Sequence, residues 1–265
     1  WASAVIDEVL VGDVWMIAGQ SNAQGFGNRC DAEPPHPLVR AYYMDDRWAV
    51  AEDPIHNLDA AVHPVHAALC GGPAPRSSAK GVGPGVSFGV EMQRRTGVPQ
   101  GLIASAHGGT AMAQWDPALL QDGAACLYGA MLQRFQRNGG RMAGLIWYQG
   151  CSDVGGDGPD QYTARMQALI QALRTDCASP ELPVVLAQLG RLFGTTTYLP
   201  AWNRMQDLQR RLAEHIPHCA VVPTIDLPLD DHIHIGGKGQ QRLGRRMAQA
   251  MQVLTGDAPG ACPPI

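Results

Sequence analysis

The chain has 265 residues, 45% of them hydrophobic, and a formal net charge of −4. This size and apolar content are enough to bury the core of one α/β domain, and we expect a single domain over residues 1–265. The charge balance provides no basic surface of the kind that binds nucleic acids. No apolar run reaches the roughly 18 residues of a membrane-spanning helix, and no signal peptide is recognisable. The composition therefore predicts neither a nucleic-acid nor a membrane partner.

Apolar stretches typical of buried strands alternate with longer stretches of helical periodicity. The strands are predicted at residues 14–18, 101–106, 142–148, 184–189 and 219–222. The helices are predicted from Pro84 to just before Gly97, and at residues 124–137, 160–176, 201–215 and 237–254. This alternation is typical of βαβ units, whose helices cover both faces of a parallel sheet. We therefore predict an α/β fold with a five-stranded, mostly parallel central sheet.

Three segments lie outside this alternation. Residues 39–44 and 47–51 predict a hairpin that turns at Asp45 and Asp46. Residues 52–84 are rich in proline, glycine and histidine and show no periodicity, which indicates a functional loop or an insertion. Residues 255–265 are predicted to form an irregular tail.

The cysteines give little information about the protein. There are seven of them, which leaves at least one thiol free, and none forms a Cys-x-x-Cys pair. Their spacing does not indicate a disulfide framework, so the compartment and any disulfide pairing stay open.

A glycine and a serine follow the first predicted strand directly. The strand ends at Gly19, and Gln20, Ser21 and Asn22 come next. A serine at the carboxyl end of a buried strand is where a parallel sheet presents its chemistry. The same serine could be an ordinary turn residue that caps the next helix. The rest of the chain decides between these interpretations.

Polar turns also follow the other strands. They contain Gly108, Gly109 and Thr110 after the second strand, Gln149, Gly150 and Asp153 after the third, and Asp231 and His234 after the fifth. Because the carboxyl ends of parallel strands meet at one edge, we expect these turns to share a crevice. A hydroxyl, an imidazole, a carboxylate and oxyanion donors are the groups that acyl transfer requires. The sequence therefore predicts an acyl-transfer site.

These motifs, in this order, resemble those of the SGNH hydrolase superfamily. They are most similar to its sialate O-acetylesterase-like and carbohydrate esterase family 6 branch. The matching motifs are Gly19-Gln20-Ser21-Asn22, Gly108-Gly109-Thr110 with Trp115, Trp147-x-Gln149-Gly150, and Asp231-x-x-His234. The resemblance runs from about residue 9 to residue 247. It implies a flavodoxin-like three-layer αβα sandwich and a carbohydrate O-acetylesterase that needs no cofactor, with a secreted or periplasmic location.

The resemblance also implies a role for particular residues. Ser21 would be the nucleophile, His234 the general base, and Asp231 the carboxylate that orients the imidazole. The oxyanion would be bound by the backbone N–H of Ser21, the N–H of Gly108 or Gly109, and the side chain of Gln149. The reaction would pass through an acetyl-serine, and the substrate would be an acetylated carbohydrate of the sialic acid or plant polysaccharide type.

Several polar or aromatic residues near these motifs are candidates for contact with the substrate. They are Gln20, Asn22, Met112, Trp115 and Asp153. Trp115 and Met112 either form the wall of a small acyl pocket or pack beneath the crevice. Asp153 either forms hydrogen bonds at the site or caps the next turn.

One position departs from the family pattern. A glutamate usually follows the Trp-x-Gln-Gly motif, and here Cys151 stands in its place. Asp231 must then orient the histidine alone, or the enzyme is weakened. Cys151 is therefore the one feature that favours an alternative, a sugar-binding pseudo-esterase. Cys151 itself could be a nucleophile, but no base is assigned to it.

Three other motifs suggest different chemistry. Gly85-Val86-Ser87-Phe88-Gly89 matches the nucleophile elbow of α/β-hydrolases, but no strand precedes Ser87, so a chance match within a helix is favoured. No Gly-x-Gly-x-x-Gly turn follows the first strand, which argues against a dinucleotide. His232 lies beside His234 and is interpreted as an exposed neighbour.

A cluster of potential metal ligands lies within the irregular segment. It contains His63, His66 and Cys70, with His56 nearby. Their spacing can place ligands on one face of a helix, but Pro64 and the irregular composition argue against that geometry. We therefore predict that no metal binds and that the segment shapes access to the crevice.

Overall fold

The computed structural model describes residues 9–70 and 79–256. Predictions that concern residues 1–8, 71–78 and 257–265 lie outside this part of the chain. They include the middle of the segment 52–84, nearly all of the predicted tail, and Cys262. The division into a single domain therefore stays a prediction.

The structure alternates strands and helices along the chain. The strands are β1 (Asp13–Gly19), β2 (Gly27–Asn28), β3 (Val39–Tyr42), β4 (Trp48–Val50), β5 (Lys80–Val82), β6 (Gln100–Ala104), β7 (Gly144–Tyr148), β8 (Val184–Ala187) and β9 (Cys219–Val222). The α-helices are α1 (Ser21–Gln24), α2 (Pro64–Leu69), α3 (Pro84–Thr96), α4 (Leu127–Arg137), α5 (Gly158–Asp176), α6 (Leu199–Arg210), α7 (Leu212–His215) and α8 (Gly237–Thr255).

The central sheet has seven strands in the order β4-β3-β6-β1-β7-β8-β9. All neighbouring strands are parallel except β4, which is antiparallel to β3. The predicted α/β class and mostly parallel sheet are confirmed, but the number of strands, five, is wrong. The predicted hairpin joins the sheet, because Val39 pairs in register with Gln100 and β3 thus extends the sheet beyond β6.

Helices cover both faces of this sheet. On one face Trp15 of β1 contacts Phe88 of α3 edge to face, with ring centroids 5.4 Å apart, and α3 packs against α8. Trp147 of β7 contacts Trp115 in the same way at 5.0 Å, and α4 and α5 pack around the 3-10 turn Met112–Trp115. The three layers are therefore those of the predicted αβα sandwich.

Two predicted elements differ from those observed. The helix predicted at residues 201–215 is divided into α6 and α7. The argument from Pro64 against a helix is wrong, since Pro64 is the first residue of α2. Proline is favourable at that position because its fixed φ suits the helix and the missing N–H would have no partner there.

The chain builds the sheet outward on both sides of β1. The chain goes from β1 to β3 and β6 on one side, and then crosses to β7, β8 and β9 on the other. A crevice opens at such a switch point, outside the carboxyl ends of the strands. In the described part of the chain, no helix is both long and apolar enough to span a bilayer.

Candidate active site

A cleft of about 830 Å³ opens at the switch point of the sheet. Its lining includes Ser21 after β1, Gly108 after β6, Cys151 after β7 and His234 after β9. The polar turns that are far apart in the sequence thus meet at one edge of the sheet.

Ser21 is held at the cleft by a tight turn after β1. Gly19 has φ 119°, and a Cβ atom there would lie 2.3 Å from the carbonyl oxygen of Tyr148. Only glycine tolerates both the positive φ and this close approach. The turn ends β1 and places Ser21, which is 6% exposed, as the first residue of α1.

His234 forms a hydrogen bond with Asp231. The Nδ1 atom of His234 lies 2.7 Å from Oδ2 of Asp231, and Oδ1 of Asp231 accepts hydrogen bonds from the backbone N–H groups of Ile233 and His234. A carboxylate only accepts hydrogen bonds, so Nδ1 carries the proton. Nε2 of the neutral ring is then free to accept a proton.

The environment of Asp231 keeps its carboxylate ionised. Partial burial by itself raises the pKa, but hydrogen bonds from the backbone N–H groups of Ile233 and His234 and from the imidazole outweigh it. Together they lower the pKa of Asp231 to about 2. Asp231 is therefore charged at neutral pH and able to orient His234.

Phe26 packs on the imidazole of His234. The two rings are stacked, with centroids 4.3 Å apart and an angle of 14° between their planes. Phe26 follows the serine turn and lines the cleft. The plane of the His234 ring is therefore fixed by stacking as well as by Asp231.

Asn22 lies behind the cleft and connects two parts of the site. It is fully buried, its Oδ1 accepts from the N–H of Ile235 at 2.9 Å, and its Nδ2 donates to the carbonyl of Ile233 at 3.3 Å. Gln240 donates to the carbonyl oxygen of Asn22 at 3.1 Å. The structure thus gives Asn22 contacts with the chain around His234, whereas the sequence interpretation assigned it to the substrate.

The two glycines that follow β6 differ in their contacts. The N–H of Gly108 donates to Oε1 of Gln24 at 2.7 Å. Gly109 has φ 74°, is exposed and lines the cleft. Both lie at the predicted oxyanion position, and the N–H of Gly108 is occupied by a side chain of the protein.

Gln149 and Asp153 belong to a buried network rather than to the lining of the cleft. Nε2 of Gln149 donates to the carbonyl of Thr110 at 3.0 Å and to Oδ2 of Asp153. Both oxygens of Asp153 accept from the N–H of Met112 at 3.0 Å. Because both amide hydrogens of Gln149 are bound in this way, binding an oxyanion would require one of these bonds to break.

Trp115 and Met112 are also buried away from the serine. Trp115 is fully buried, and its Nε1 donates to Oγ1 of Thr110 at 3.0 Å. With Met112 it borders a separate hollow of about 350 Å³ that includes Asp160 and Arg165. The structure therefore favours the packing interpretation, since neither residue lines the cleft that contains Ser21.

Gln20 and Cys151 lie together at the edge of the cleft. Oε1 of Gln20 accepts from the N–H of Gly150 at 2.9 Å, and both Gln20 and Cys151 line the cleft. Burial, with a smaller contribution from Asp153, raises the pKa of the Cys151 thiol to about 12. Cys151 is therefore a neutral thiol at physiological pH, and a neutral thiol is a poor nucleophile.

Ser87 and His232 have the positions of non-catalytic residues. Ser87 lies within α3, is 1% exposed, and donates to Oε2 of Glu33 at 3.0 Å. No strand leads into it, so it is not in a nucleophile elbow. His232 is exposed, and its carbonyl oxygen accepts from the N–H of Phe193.

The histidines of the irregular segment are buried next to the cleft. Nδ1 of His66 lies 2.9 Å from Nδ1 of His107, and Nε2 of His56 accepts from the N–H of Ser105 at 3.1 Å. Burial lowers the pKa of His56 and of His66 to about 3, and that of His63 to about 4. Within residues 9–70 and 79–256, no three histidine, cysteine or acidic side chains are grouped as metal ligands.

Sequence reasoning missed several residues of the cleft. They are Gln24, Phe26, Arg29, Lys80 and His107, whereas His56 was considered only as a potential metal ligand. Gln24 and Phe26 lie within one turn of Ser21, and this proximity was the available signal. No local pattern indicates that Arg29 and Lys80 face the cleft, because they lie in a short 3-10 turn and a three-residue strand without a readable periodicity.

The chain is similar to known carbohydrate esterases. A family model described as carbohydrate esterase, sialic acid-specific acetylesterase, matches residues 11–253. A protein of Arabidopsis thaliana named as a probable carbohydrate esterase is 27% identical over 261 residues, which cover 89% of each chain.

Solved structures share the fold. An Arabidopsis thaliana protein superposes with a TM-score of 0.73 at 25% identity, over 91% of this chain and 97% of that one. A carbohydrate acetylesterase from Xanthomonas citri superposes with a TM-score of 0.70 at 22% sequence identity, over 93% of this chain and 57% of that one. NanS superposes with a TM-score of 0.68 at 13% sequence identity, over 94% of this chain and 100% of that one. The resemblance to the sialate O-acetylesterase-like branch is confirmed: the chain belongs to this family of carbohydrate esterases and is a carbohydrate O-acetylesterase.

Proposed function

We propose that this esterase is a serine hydrolase in which Ser21 is the nucleophile, His234 the general base and Asp231 the residue that orients the base. The observation that carries the proposal is the 2.7 Å bond between His234 and Asp231 in the cleft that Ser21 lines. The bond fixes the tautomer in which Nε2 accepts a proton from a hydroxyl.

The proposed reaction has two steps. In the first step, Oγ of Ser21 attacks the carbonyl carbon of the acetyl group while His234 takes the hydroxyl proton. The bond to the sugar oxygen then breaks, and His234 returns the proton to that oxygen. In the second step a water attacks the acetyl-serine, His234 takes a proton from it, and acetate leaves as the Ser21 hydroxyl is restored.

The negative oxygen of each tetrahedral intermediate needs hydrogen-bond donors. The backbone N–H groups of Ser21 and of Gly108 or Gly109 are the proposed donors, and one such donor contributes about 3 kcal/mol to the transition state. Gln149 joins them only if it releases Thr110 or Asp153, to which its amide is bound.

The proposed substrate is an acetylated carbohydrate of the sialic acid or plant polysaccharide type. Arg29 and Lys80 line the cleft, and the ammonium group of Lys80 pairs with Oδ2 of Asp230 at 2.8 Å, so a sugar carboxylate would compete with Asp230 for this cation. Acetate release from O-acetylated sialic acid and from acetylated xylan distinguishes the two classes. Faster release from the acidic sugar is expected if these cations bind its carboxylate.

Hydrolysis of p-nitrophenyl acetate tests the mechanism. Ser21→Ala is expected to lower kcat by about 10³-fold or more, since it removes the nucleophile. Ser87→Ala is the matched control, and it should retain activity, as should the wild type with EDTA. Mass spectrometry of the quenched reaction should show one acetyl group on the Ser21 peptide. Full activity of Ser21→Ala would contradict the proposal.

The alternative of a sugar-binding pseudo-esterase is not favoured by the family match. It predicts that the wild type binds acetylated sugars but releases no acetate from any of them, and acetate release decides between the two.

The resemblance also supports a secreted or periplasmic location, which we include in the proposal. Cell fractionation with an antibody against the natural full-length protein tests it. Recovery only in the cytoplasmic fraction would contradict it.

A further inference from the structure

The side chain of Gln24 occupies a hydrogen-bond donor that the proposed reaction needs. Gln24 is the last residue of α1, and its Oε1 accepts the N–H of Gly108 at 2.7 Å. Oxyanion donors typically lie roughly 2.7–3.1 Å from the oxygen that they stabilise. The amide oxygen of Gln24 is thus bound to Gly108 as the oxygen of an ester would be.

This donor lies directly beside the candidate nucleophile. A Cβ atom placed on Gly108 would lie 3.5 Å from Cβ of Ser21, 3.0 Å from Oε1 of Gln24 and 3.6 Å from Cε2 of Phe26. The N–H of Gly108 is therefore close to any acyl group attached to Ser21. The lack of a side chain at Gly108 is what leaves room for the oxygen of Gln24.

The side chain of Gln24 is able to move, whereas its backbone is held. The N–H of Gln24 donates to the carbonyl of Gln20 at 2.9 Å, which fixes the turn. The side chain is half-buried and lines the cleft, where water can replace its bond to Gly108.

We propose that Gln24 is a displaceable occupant of the oxyanion site, whose amide oxygen competes with the substrate carbonyl for the N–H of Gly108. This inference rests on the proposed serine mechanism. In the free enzyme Gln24 holds the donor, and on binding the ester carbonyl takes its place. The enzyme must leave the conformation in which Gln24 is bound to Gly108 before the ester can bind there. This requirement raises the apparent KM and leaves kcat unchanged.

Steady-state kinetics on p-nitrophenyl acetate test this competition. Gln24→Met keeps a side chain of similar length without the acceptor oxygen. This variant should lower KM by about two- to tenfold, because that factor corresponds to the net free energy of one neutral hydrogen bond. Its kcat should stay within about twofold of the wild-type value. Gln24→Glu provides a charged and stronger acceptor, so it should raise KM by about tenfold. Gln136→Met, at an exposed position of α4, is the matched control and should leave both constants unchanged.

A second measurement does not depend on turnover. Hydrogen–deuterium exchange at the Gly108 amide should be faster in Gln24→Met than in the wild type, and Gln136→Met should exchange as the wild type does. Equal exchange rates would overturn the contact on which the proposal rests.

The outcomes separate this inference from the proposed function. If Ser21→Ala is inactive and Gln24→Met lowers kcat or leaves KM unchanged, the competition is wrong and the serine mechanism stands. If Ser21→Ala is fully active, the mechanism and the inference both fail. If Ser21→Ala is inactive and Gln24→Met lowers KM alone, both are supported.

Discussion

The side chain of Asn22 accepts a hydrogen bond at 2.9 Å from the N–H of Ile235, although the two residues are 213 positions apart in the sequence. Asn22 follows the candidate nucleophile, and Ile235 follows the candidate base. Through this bond and the bond from its Nδ2 to the carbonyl of Ile233, Asn22 holds both sides of His234 against the serine turn. One buried amide therefore sets how Ser21 and His234 are placed relative to each other.

Replacing Asn22 should affect both stability and catalysis. Asn22→Ala leaves the buried N–H of Ile235 and the carbonyl of Ile233 without their side-chain partner, and one such loss costs about 1–3 kcal/mol. We expect a decrease of this size in the free energy of unfolding and a lower kcat with little change in KM. Urea unfolding and steady-state kinetics measure these quantities.

Asn203→Ala is the control for the Asn22 variant, because Asn203 is exposed on α6. It should change the free energy of unfolding by less than about 0.5 kcal/mol. If the two variants were equally stable, Asn22 would not hold the segment around His234.

Replacing Asp231 should impair catalysis, because its carboxylate both orients His234 and stabilises the protonated imidazole. In Asp231→Asn the neutral amide cannot stabilise the imidazolium that forms when His234 takes a proton. We expect kcat to fall by about 10²–10⁴-fold while the fold is retained. A decrease smaller than tenfold would mean that another group orients the imidazole.

The same substitution has an effect on stability that depends on pH. The pKa of Asp231 is lowered to about 2 in the folded protein, so the unfolded state binds its proton first as the pH falls. The stabilisation is therefore present above the unfolded pKa of about 4 and is lost as the pH falls towards 2. The stability difference between the wild type and Asp231→Asn should shrink as the pH falls from about 5 to about 3, which is roughly one unit on either side of the unfolded pKa. Chemical unfolding at each pH measures this difference.

Cys151 should be dispensable for the reaction. Burial raises the pKa of its thiol to about 12, so hardly any thiolate is present near neutral pH. We expect Cys151→Ala to keep kcat within about threefold of the wild type. Rapid inactivation of the wild type, but not of Cys151→Ala, by iodoacetamide at neutral pH would contradict this prediction.

The buried histidines should make folding sensitive to acid. His63 is 2% exposed, neither of its ring nitrogens has a hydrogen-bond partner within the described chain, and burial lowers its pKa to about 4. Its unfolded pKa is about 6.5, so the unfolded state takes up the proton first and stability falls as the pH drops below 6.5. One such histidine lowers the free energy of unfolding by about 2 kcal/mol as the pH falls from about 7 to about 5.

His63→Leu tests this effect, because leucine fills a similar volume and does not titrate. The variant should lose less stability than the wild type between neutral and mildly acidic pH, by about 2 kcal/mol, in urea unfolding. His215→Leu, at an exposed position of α7, is the control and should lose as much as the wild type. An unchanged pH dependence in His63→Leu would show that the pKa of His63 is the same in the folded and the unfolded protein.

The sequence by itself determined the parts of this protein that depend on local chemistry. The apolar strands, the glycine turn before Ser21 and the Asp-x-x-His spacing predict an α/β esterase, because strand burial, turn geometry and the reach of a carboxylate to a histidine three residues on are set within a few residues. The family assignment follows from the same short motifs.

Only the tertiary structure decided which side chains face the cleft. The hairpin at β3 and β4 joins the sheet because its partner is β6, and Gln149 and Asp153 lie behind the site because they bind Thr110 and Met112 of a distant turn. Gln24 contacts Gly108, and Phe26 contacts His234, across even longer separations in the chain. Such contacts depend on how the elements pack in space, and no short stretch of sequence contains that information.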